Sequence, residues 1–206
     1  TIPVTLEMML HHTAAVVRSK PDALVVMDIP FPDTHYSFEK LLSLSARALQ
    51  EAGADAVKLE GGELIAGKVE GLVQAGVPVL GHIGLLPQQV LALGGYRKFG
   101  KTAEQRAQLI ADAEALESAG AFAVVGEMID ADTARAVSES IAIPFIGIGC
   151  GPHCDGQILV SVDLLGLNPN GVPKFVREFA NLREQAIEGL SSYAKAVRSG
   201  TFPAAD

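Results

Sequence analysis

The chain has 206 residues, of which 49% are hydrophobic and 19% are charged; it can form one domain with a sizeable core and is not composed like a disordered chain. Its formal net charge of -8 argues against a general nucleic-acid partner, although a locally positive pocket can still hold a small anion. Two cysteines do not make a disulfide scaffold, and no apolar run is long enough to span a bilayer. The first residues do not resemble a signal peptide. We therefore expect a cytoplasmic protein without a membrane partner.

A helical pattern that ends in Ala-Gly and is followed by a short apolar run recurs along the chain. The pair occurs at 52–53, 75–76 and 119–120. Glycine just after a helix readily adopts the left-handed conformation that satisfies the last carbonyl groups. The runs that follow are short and rich in valine, as expected for buried parallel strands. Each unit is therefore predicted to be a helix, a glycine stop and a strand.

In chain order, the pattern predicts a first helix capped by Thr5 and then strands that alternate with helices. Six strands are predicted, near 24–29, 56–60, 78–81, 123–125, 144–148 and 158–162. Helices are predicted at 38–52, from Thr102 to residue 119, at 133–140 and at 175–198. Thr102 and Gln105 have the spacing of a capping box, and Asp132 is the predicted start of the third of these helices.

Alternating strands and helices predict an α/β fold, either a closed barrel or an open doubly wound sheet. An open dinucleotide-binding sheet would carry a glycine fingerprint after its first strand, and the segment MDIPFPDTHYS has none. We therefore predict a (β/α)8 TIM barrel. Such a barrel typically needs about 250 residues, and this chain opens with a helix before its first strand. We expect a single barrel domain over 1–206 that is N-terminally incomplete and lacks its first two strands.

Four consecutive predicted strands end in an ionisable residue: Asp28, Glu60, His82 and Glu127. In α/β barrels the carboxyl ends of the strands carry the catalytic groups, because the loops there surround a common mouth. Each residue alone could be an ordinary exposed strand end, but strand ends more often carry serine, glycine or asparagine. We therefore expect these side chains to converge on one pocket.

The residue types suggest the chemistry of that pocket. Asp28 and Glu60 are hard oxygen donors that suit Mg²⁺, which keeps several waters in protein sites. Lys58 shares the strand face of Glu60 and could neutralise a substrate carboxylate. Glu127 follows an apolar run, where partial burial would raise its pKa and make it a general base. His82 could bind substrate or be a satisfied structural histidine.

A second group, Cys150, His153 and Cys154, lies in a glycine-rich stretch after the fifth predicted strand. It has no further Cys/His pair to complete a zinc site. We interpret this stretch as a tight loop at the barrel mouth.

The motifs DIPF, VKLEGG, GHIGLLPQ, LGGY, DAEALESAGAFAVV, IGIGCGPHCDGQILV, DLLGL and PKFVREFANL occur in this order over nearly the whole chain. With them the chain resembles the ketopantoate hydroxymethyltransferase (3-methyl-2-oxobutanoate hydroxymethyltransferase) family. VKLEGG and GHIGL at this separation are highly specific.

The resemblance implies a barrel of the phosphoenolpyruvate/pyruvate superfamily and a decameric homo-oligomer. It implies transfer of a hydroxymethyl group from the co-substrate 5,10-methylenetetrahydrofolate to 3-methyl-2-oxobutanoate, giving 2-dehydropantoate for pantothenate and coenzyme A. It implies Mg²⁺ held by Asp28 and Glu60, with Asp28 also near substrate, Lys58 as a substrate-binding lysine and Glu127 as the proton acceptor. A Mg²⁺-stabilised enolate fits these roles. We place His82 with the substrate-binding residues.

The chain departs from the family pattern at several points. The family has an upstream V-G-D-S motif with a third metal carboxylate, and this sequence begins after that point. Gly126 stands where a leucine is expected before Glu127. Two alternatives stay open. A 2-oxo-acid lyase or mutase of the same superfamily would use a loop cysteine, which is absent between Asp28 and Glu127; a non-catalytic barrel subunit would not need the carboxylates that this chain retains.

Overall fold

A computed structural model describes residues 1–204, and the chain forms two compact units, Thr1–Gln157 and Ile158–Asp206. The helices and strands of the first unit are α1 (Leu6–Arg18), β1 (Val26–Asp28), α2 (Phe38–Gln50), β2 (Ala56–Glu60), α3 (Ala66–Gln74), β3 (Val79–Gly84), α4 (Val90–Leu93), α5 (Ala103–Ser118), β4 (Ala123–Glu127), α6 (Ala131–Ser140), β5 (Phe145–Ile148) and β6 (Gly156–Gln157). Short 3₁₀ turns occur at Asp33–His35, Glu63–Ile65 and Pro87–Gln89. The second unit contains α7 (Ser161–Leu164) and α8 (Leu182–Arg198). The prediction of a single domain over 1–206 remains a prediction.

The six strands form one parallel sheet in the order β1-β2-β3-β4-β5-β6. A doubly wound sheet reverses its strand order at a switch point, whereas this sheet advances by one neighbour at every crossover. Sequential parallel strands with intervening helices are the pattern of a barrel. The predicted α/β fold is confirmed, and the sheet is that of a partial barrel.

The two faces of the sheet have different surroundings. Val57, Leu59 and Val124 belong to the main apolar core, together with the buried faces of the helices. Leu80 and Val125 belong to a smaller apolar cluster on the opposite face. Because side chains alternate along a strand, the opposite face is also the one that receives the even positions of β2 and β3. We call it the inner face.

The predicted N-terminal caps at Thr5 and Thr102 and the predicted glycine stop after the second helix are confirmed. Thr5 accepts a hydrogen bond from Met8 N, and Thr102 accepts one from Gln105 N at 3.3 Å. Gly53, which follows α2 and its C-cap, has a φ of 77°, so it supplies the left-handed residue that ends the helical segment.

One predicted strand is absent, and two predicted helices have different bounds. The segment 158–162 is not a strand, since β6 pairs with β5 only at Gly156–Gln157. Its alternating Ile158, Val160 and Val162 are each about half exposed, at 48%, 51% and 45%. The last helix covers Leu182–Arg198 rather than 175–198, and the helix expected after Asp132 is capped two residues earlier, by Asp130. Among the described residues, no helix combines the length and the apolar character needed to cross a membrane.

Candidate active site

The strand register brings the predicted site residues together at the carboxyl edge of the sheet. Asp28 lies opposite Lys58, Glu60 lies opposite His82, and Glu127 lies opposite Gly84. Lys58 and Glu60 are two residues apart on β2 and therefore share the inner face. The convergence expected from the sequence is present.

Lys58 is the cation of this cluster. Its Nζ lies 2.5 Å from Oδ2 of Asp28 and 3.9 Å from Oε1 of Glu60. Its side chain is 16% exposed, so water screens these interactions less than on an open surface. The second oxygen of Asp28, Oδ1, is buried and has no hydrogen-bond partner among the described residues. This carboxylate therefore has one acceptor free to take a ligand.

Glu60 is buried, with 4% of its surface exposed. Its Oε2 accepts a hydrogen bond of 3.0 Å from the backbone N–H of Gln88. Burial raises the pKa of Glu60 to about 7, and the positive charge of Lys58 opposes that rise. A carboxyl with this pKa gains and loses its proton near neutrality, and a cation beside it would favour the anionic form.

His82 lies between two carboxyl groups. Its Nδ1 lies 3.7 Å from Oε1 of Glu60, and its Nε2 lies 3.4 Å from Oε2 of Glu127. Complete burial, together with the charge of Lys58, lowers the pKa of His82 to about 3. The imidazole is therefore neutral and has a single N–H to donate.

Glu127 ends β4 on the inner face, and its side chain is 17% exposed. Burial raises the pKa of Glu127 to about 7, against an opposing effect of Lys58. A general base is most effective when its pKa lies near the working pH. The raised pKa agrees with the partial burial expected from its position in the sequence, and its role as a base stays a prediction.

Gln88 is a site residue that the sequence reasoning missed. Besides its backbone contact to Glu60, its side-chain Nε2 donates to the carbonyl of Ile29 at 2.8 Å. One buried residue after β3 thus fixes both the carboxylate of β2 and the end of β1. The only signal in the sequence is its place directly after Pro87, in GHIGLLPQ.

The donor set can be tested against the Mg²⁺ that the resemblance implies. Asp28 and Glu60 supply two carboxylates on one face, one with an unpartnered buried oxygen. Residues 1–204 contain no group of three or more His, Cys, Asp or Glu side chains arranged to hold an ion. Mg²⁺ commonly binds through one or two carboxylates plus substrate and water, so the two residues present fit it.

Gly126, the departure from the expected leucine, has a packing reason. It points to the outer face, and a Cβ there would overlap the ring of Phe145 on β5. The glycine of β4 and the phenylalanine of β5 are therefore complementary. The substitution does not alter the inner face that carries Glu127.

The thiol of Cys150 packs in the main apolar core and not on the inner face with these carboxylates. Cys150 is buried and donates through Sγ to the carbonyl of Gly126 at 3.0 Å. Burial raises its pKa to about 11, so the thiol is protonated and unreactive near neutral pH. His153 lies against Arg135 instead.

The carboxyl edge of this parallel barrel sheet carries two carboxyl groups with a pKa near neutrality, a lysine and a neutral histidine. This combination of fold and site is that of an α/β-barrel enzyme. The model of the ketopantoate hydroxymethyltransferase family matches residues 1–205. The chain belongs to this family.

Two similar relatives agree with the family match. The 3-methyl-2-oxobutanoate hydroxymethyltransferase of Moorella thermoacetica is 48% identical over 203 residues, which are 98% of this chain and 76% of that protein. The enzyme of the same name from Pyrobaculum islandicum is 52% identical over 204 residues, 99% of this chain and 77% of that protein. The chain thus spans about three quarters of the length of each.

Solved structures support the fold. A protein described as a lyase/mutase from Burkholderia cenocepacia has a TM-score of 0.54 at 19% identity, over 99% of this chain and 74% of that chain. Phosphonopyruvate hydrolase has a TM-score of 0.54 at 17% identity, over 96% of this chain and 68% of that chain. Both similarities concern the architecture alone.

Proposed function

We propose that this chain transfers a hydroxymethyl group from 5,10-methylenetetrahydrofolate to 3-methyl-2-oxobutanoate and so forms 2-dehydropantoate for pantothenate biosynthesis. Family membership and the relatives' names support this proposal. The observation that carries it in the structure is the continuous row Asp28, Lys58, Glu60, His82 and Glu127 on one face. Such a row can bind a small 2-oxo acid and remove a proton from it.

Lys58 and His82 would bind the acceptor. A 2-oxo acid carries a carboxylate and a keto oxygen, and the ammonium group of Lys58 offers up to three donors to them. The buried position of this lysine strengthens the attraction because little water competes for it. His82 adds one neutral N–H donor at the same face, which makes it a candidate substrate-binding residue without adding charge.

Asp28 and Glu60 would hold Mg²⁺, with Asp28 also close to the substrate. When bound, the ion supplies a Lewis acid that favours negative charge on the keto oxygen of the acceptor. Gln88 keeps the carboxylate of Glu60 in place through its backbone N–H.

Glu127 would remove the proton from C3 of 3-methyl-2-oxobutanoate, and its carboxylate oxygen would receive that proton. The electron pair left on the substrate forms an enolate, whose C3 then forms the new carbon–carbon bond to the one-carbon unit. That carbon is bonded to two folate nitrogens, and both bonds break: one is replaced by the new bond to C3 and the other by a bond to the oxygen of a water molecule. The proton taken from C3 and one proton of the water end on the two nitrogens. Over the whole reaction one water is consumed and tetrahydrofolate is released, so atoms and electrons balance.

Proton exchange at C3 tests the proposal without the folate. In deuterated water with Mg²⁺, the protein should exchange the C3 proton of 3-methyl-2-oxobutanoate for deuterium. Glu60→Ala should abolish the metal-dependent exchange, and Glu127→Gln should stop the exchange while leaving metal binding intact. Glu114→Gln, an exposed position on α5, is the matched control. A normal rate in Glu127→Gln would remove this residue as the base.

We further propose the cytoplasm as the compartment, which the low cysteine content favours, and a homo-oligomer as the assembly, which the resemblance implies. The decamer can be tested by light scattering on the purified protein. A monomer at micromolar concentration would contradict it.

A further inference from the structure

A cavity of about 410 Å³ opens beside Glu60. Residues from the loops after β1, β2 and β3 and from one side of α5 form its walls, among them His35, Leu64, Leu86, Gln89, Gln108 and Asp112. Loops that follow parallel strands lie at the carboxyl edge of a sheet, so the cavity adjoins the site described above. The reaction needs a second substrate next to the acceptor, and the acceptor row on the inner face does not include these loops.

We propose that this cavity binds the pterin ring of the one-carbon donor, with Asp112 and Gln108 as recognition residues. The inference rests on the proposed function and deepens it, because it assigns the second substrate to a place. A separate cavity of about 340 Å³ is lined by residues of the N-terminal segment and of the β1–α2 region, and none of the catalytic candidates lines it.

The size and position of the cavity suit this occupant. Ligand pockets commonly measure about 300–1,000 Å³, and a bicyclic ring needs only part of the space available here. Glu60 belongs both to the wall of the cavity and to the acceptor site. A donor ring in the cavity therefore lies next to the acceptor, as carbon–carbon bond formation requires.

The polar groups of the cavity suit the donor-rich edge of a pterin. The 2-amino-4-oxo ring presents two parallel N–H groups, which a carboxylate accepts best. In Asp112, Oδ1 accepts from the backbone N–H of Glu63 at 2.9 Å and from Gln108 Nε2 at 3.2 Å. Within residues 1–204, no hydrogen bond is recorded for its second oxygen. The Asp112 carboxylate is thus held in place by Oδ1, and Oδ2 is left to accept one N–H of the pterin edge. The second N–H would be accepted by Oδ1 in place of the Gln108 side chain, which is exposed and can move.

Glycine makes this arrangement possible. Any Cβ at Gly62 would overlap the carboxyl group of Asp112, so the second glycine of VKLEGG lets α5 bring its aspartate against the β2 loop. Leu64 is fully exposed on that loop, and Leu86 lies on the loop after β3. Apolar side chains of this kind can cover the faces of a flat ring.

The charge of the cavity wall indicates which end of the folate binds there. Glu60, Glu63 and Asp112 make the wall acidic, and His35 is its one basic residue among those described. An acidic wall repels the glutamate tail of a folate, whereas a pterin head is neutral and rich in donors. The cavity therefore favours the head of the donor.

A bulky substitution at the wall tests the site. Gln108 is exposed on α5 and lines the cavity, so Gln108→Trp should reduce its volume and raise the KM for 5,10-methylenetetrahydrofolate at least ten-fold. Glu114→Trp makes the same change on the exposed surface of the same helix, outside the cavity, and should leave that KM within two-fold. Deuterium exchange at C3 needs no donor and should proceed in both variants.

The combination of readouts keeps the two proposals apart. Loss of exchange in the unaltered protein would contradict the proposed function itself. Normal exchange with an unchanged donor KM in Gln108→Trp would overturn the assignment of the cavity alone. If Gln108→Trp does not fold, Asp112→Asn retains an acceptor for Glu63 N–H while removing the charge, and the same ten-fold rise is expected.

Fragments of the donor identify which end binds. Tetrahydropterin without a tail should compete with 5,10-methylenetetrahydrofolate in the unaltered protein and compete at least ten-fold less well in Asp112→Asn. p-Aminobenzoylglutamate, the tail fragment, should not show this difference. Competition by the tail fragment that is lost in Asp112→Asn would instead place the tail in the cavity and overturn the proposal.

Discussion

Nε2 of His82 lies 3.4 Å from Oε2 of Glu127, and the same imidazole approaches Glu60 through its other nitrogen. A neutral imidazole has one N–H, so it can donate to only one of these carboxyl groups at a time. The expected consequence is that His82 helps to set the protonation of Glu127. The imidazole lies between the proposed base and the proposed metal ligand, and neither of its nitrogens has a hydrogen-bond partner among the described residues.

His82→Phe should fill a similar volume without an N–H. The ionised form of Glu127 then loses a polar neighbour, so its pKa should rise and C3 exchange at neutral pH should fall at least ten-fold. His82→Gln, which retains an N–H donor, should recover part of the rate. The measurement is the pH profile of deuterium exchange, and equal midpoints in all three proteins would contradict a role of His82 in positioning the proton.

The exchange reaction should depend on pH through Glu127 in the unaltered protein. The base acts as the carboxylate, and burial raises the pKa of Glu127 to about 7. The rate should therefore rise with pH and level off above about 7, falling about ten-fold per unit below it. A profile that levels off near pH 4.5 would show that the buried carboxyl is not the proton acceptor.

The same raised pKa means that ionised Glu127 destabilises the folded protein at high pH, and Glu127→Gln should remove this effect. Between pH 4.5 and about 7 the folded protein binds more protons at this position than the unfolded chain, so the contribution of Glu127 to stability falls as pH rises. In metal-free protein, Glu127→Gln should be more stable than the unaltered chain at pH 8 by about 2 kcal/mol, allowing for the contact with solvent that remains. Near pH 4 the two should be equal. Denaturant unfolding at both pH values measures the difference, and a difference independent of pH would contradict the buried, protonated carboxyl.

Mg²⁺ binding should require both Asp28 and Glu60 and should weaken in acid. Because burial raises the pKa of Glu60 to about 7, the ion must displace a proton from this carboxyl below neutrality. Titration calorimetry should show tighter binding at pH 8 than at pH 6, with proton release at the lower pH. Asp28→Asn should weaken binding at least ten-fold, and Asp132→Asn on α6 provides the control. Equal affinity in Asp28→Asn would remove this residue from the metal site.

The sequence predicted which strand-end side chains lie together, whereas their roles as metal ligands and base stay predictions. Asp28, Glu60 and Glu127 end apolar strands, and the parallel order of the sheet is enough to bring strand ends together. Gln88 and Asp112 could not be found in this way, because their contacts depend on how loops and an outer helix fold back over the edge. The alternation of apolar residues at 158–162 resembles a strand, but alternation does not specify whether a neighbouring strand continues far enough to pair with it.

Gly126→Ala tests the packing that separates this chain from the pattern expected before Glu127. The new Cβ would overlap the ring of Phe145, which is fully buried and belongs to the main core. Overpacking of this kind typically costs about 1–3 kcal/mol, so the free energy of unfolding should fall by that amount. Gly67→Ala is the matched control, since a Cβ at that position in α3 meets no atom within 4 Å and alanine favours the helix. It should leave stability unchanged or raise it by about 0.5–1 kcal/mol. Equal effects of the two substitutions in denaturant unfolding would contradict the tight contact between β4 and β5.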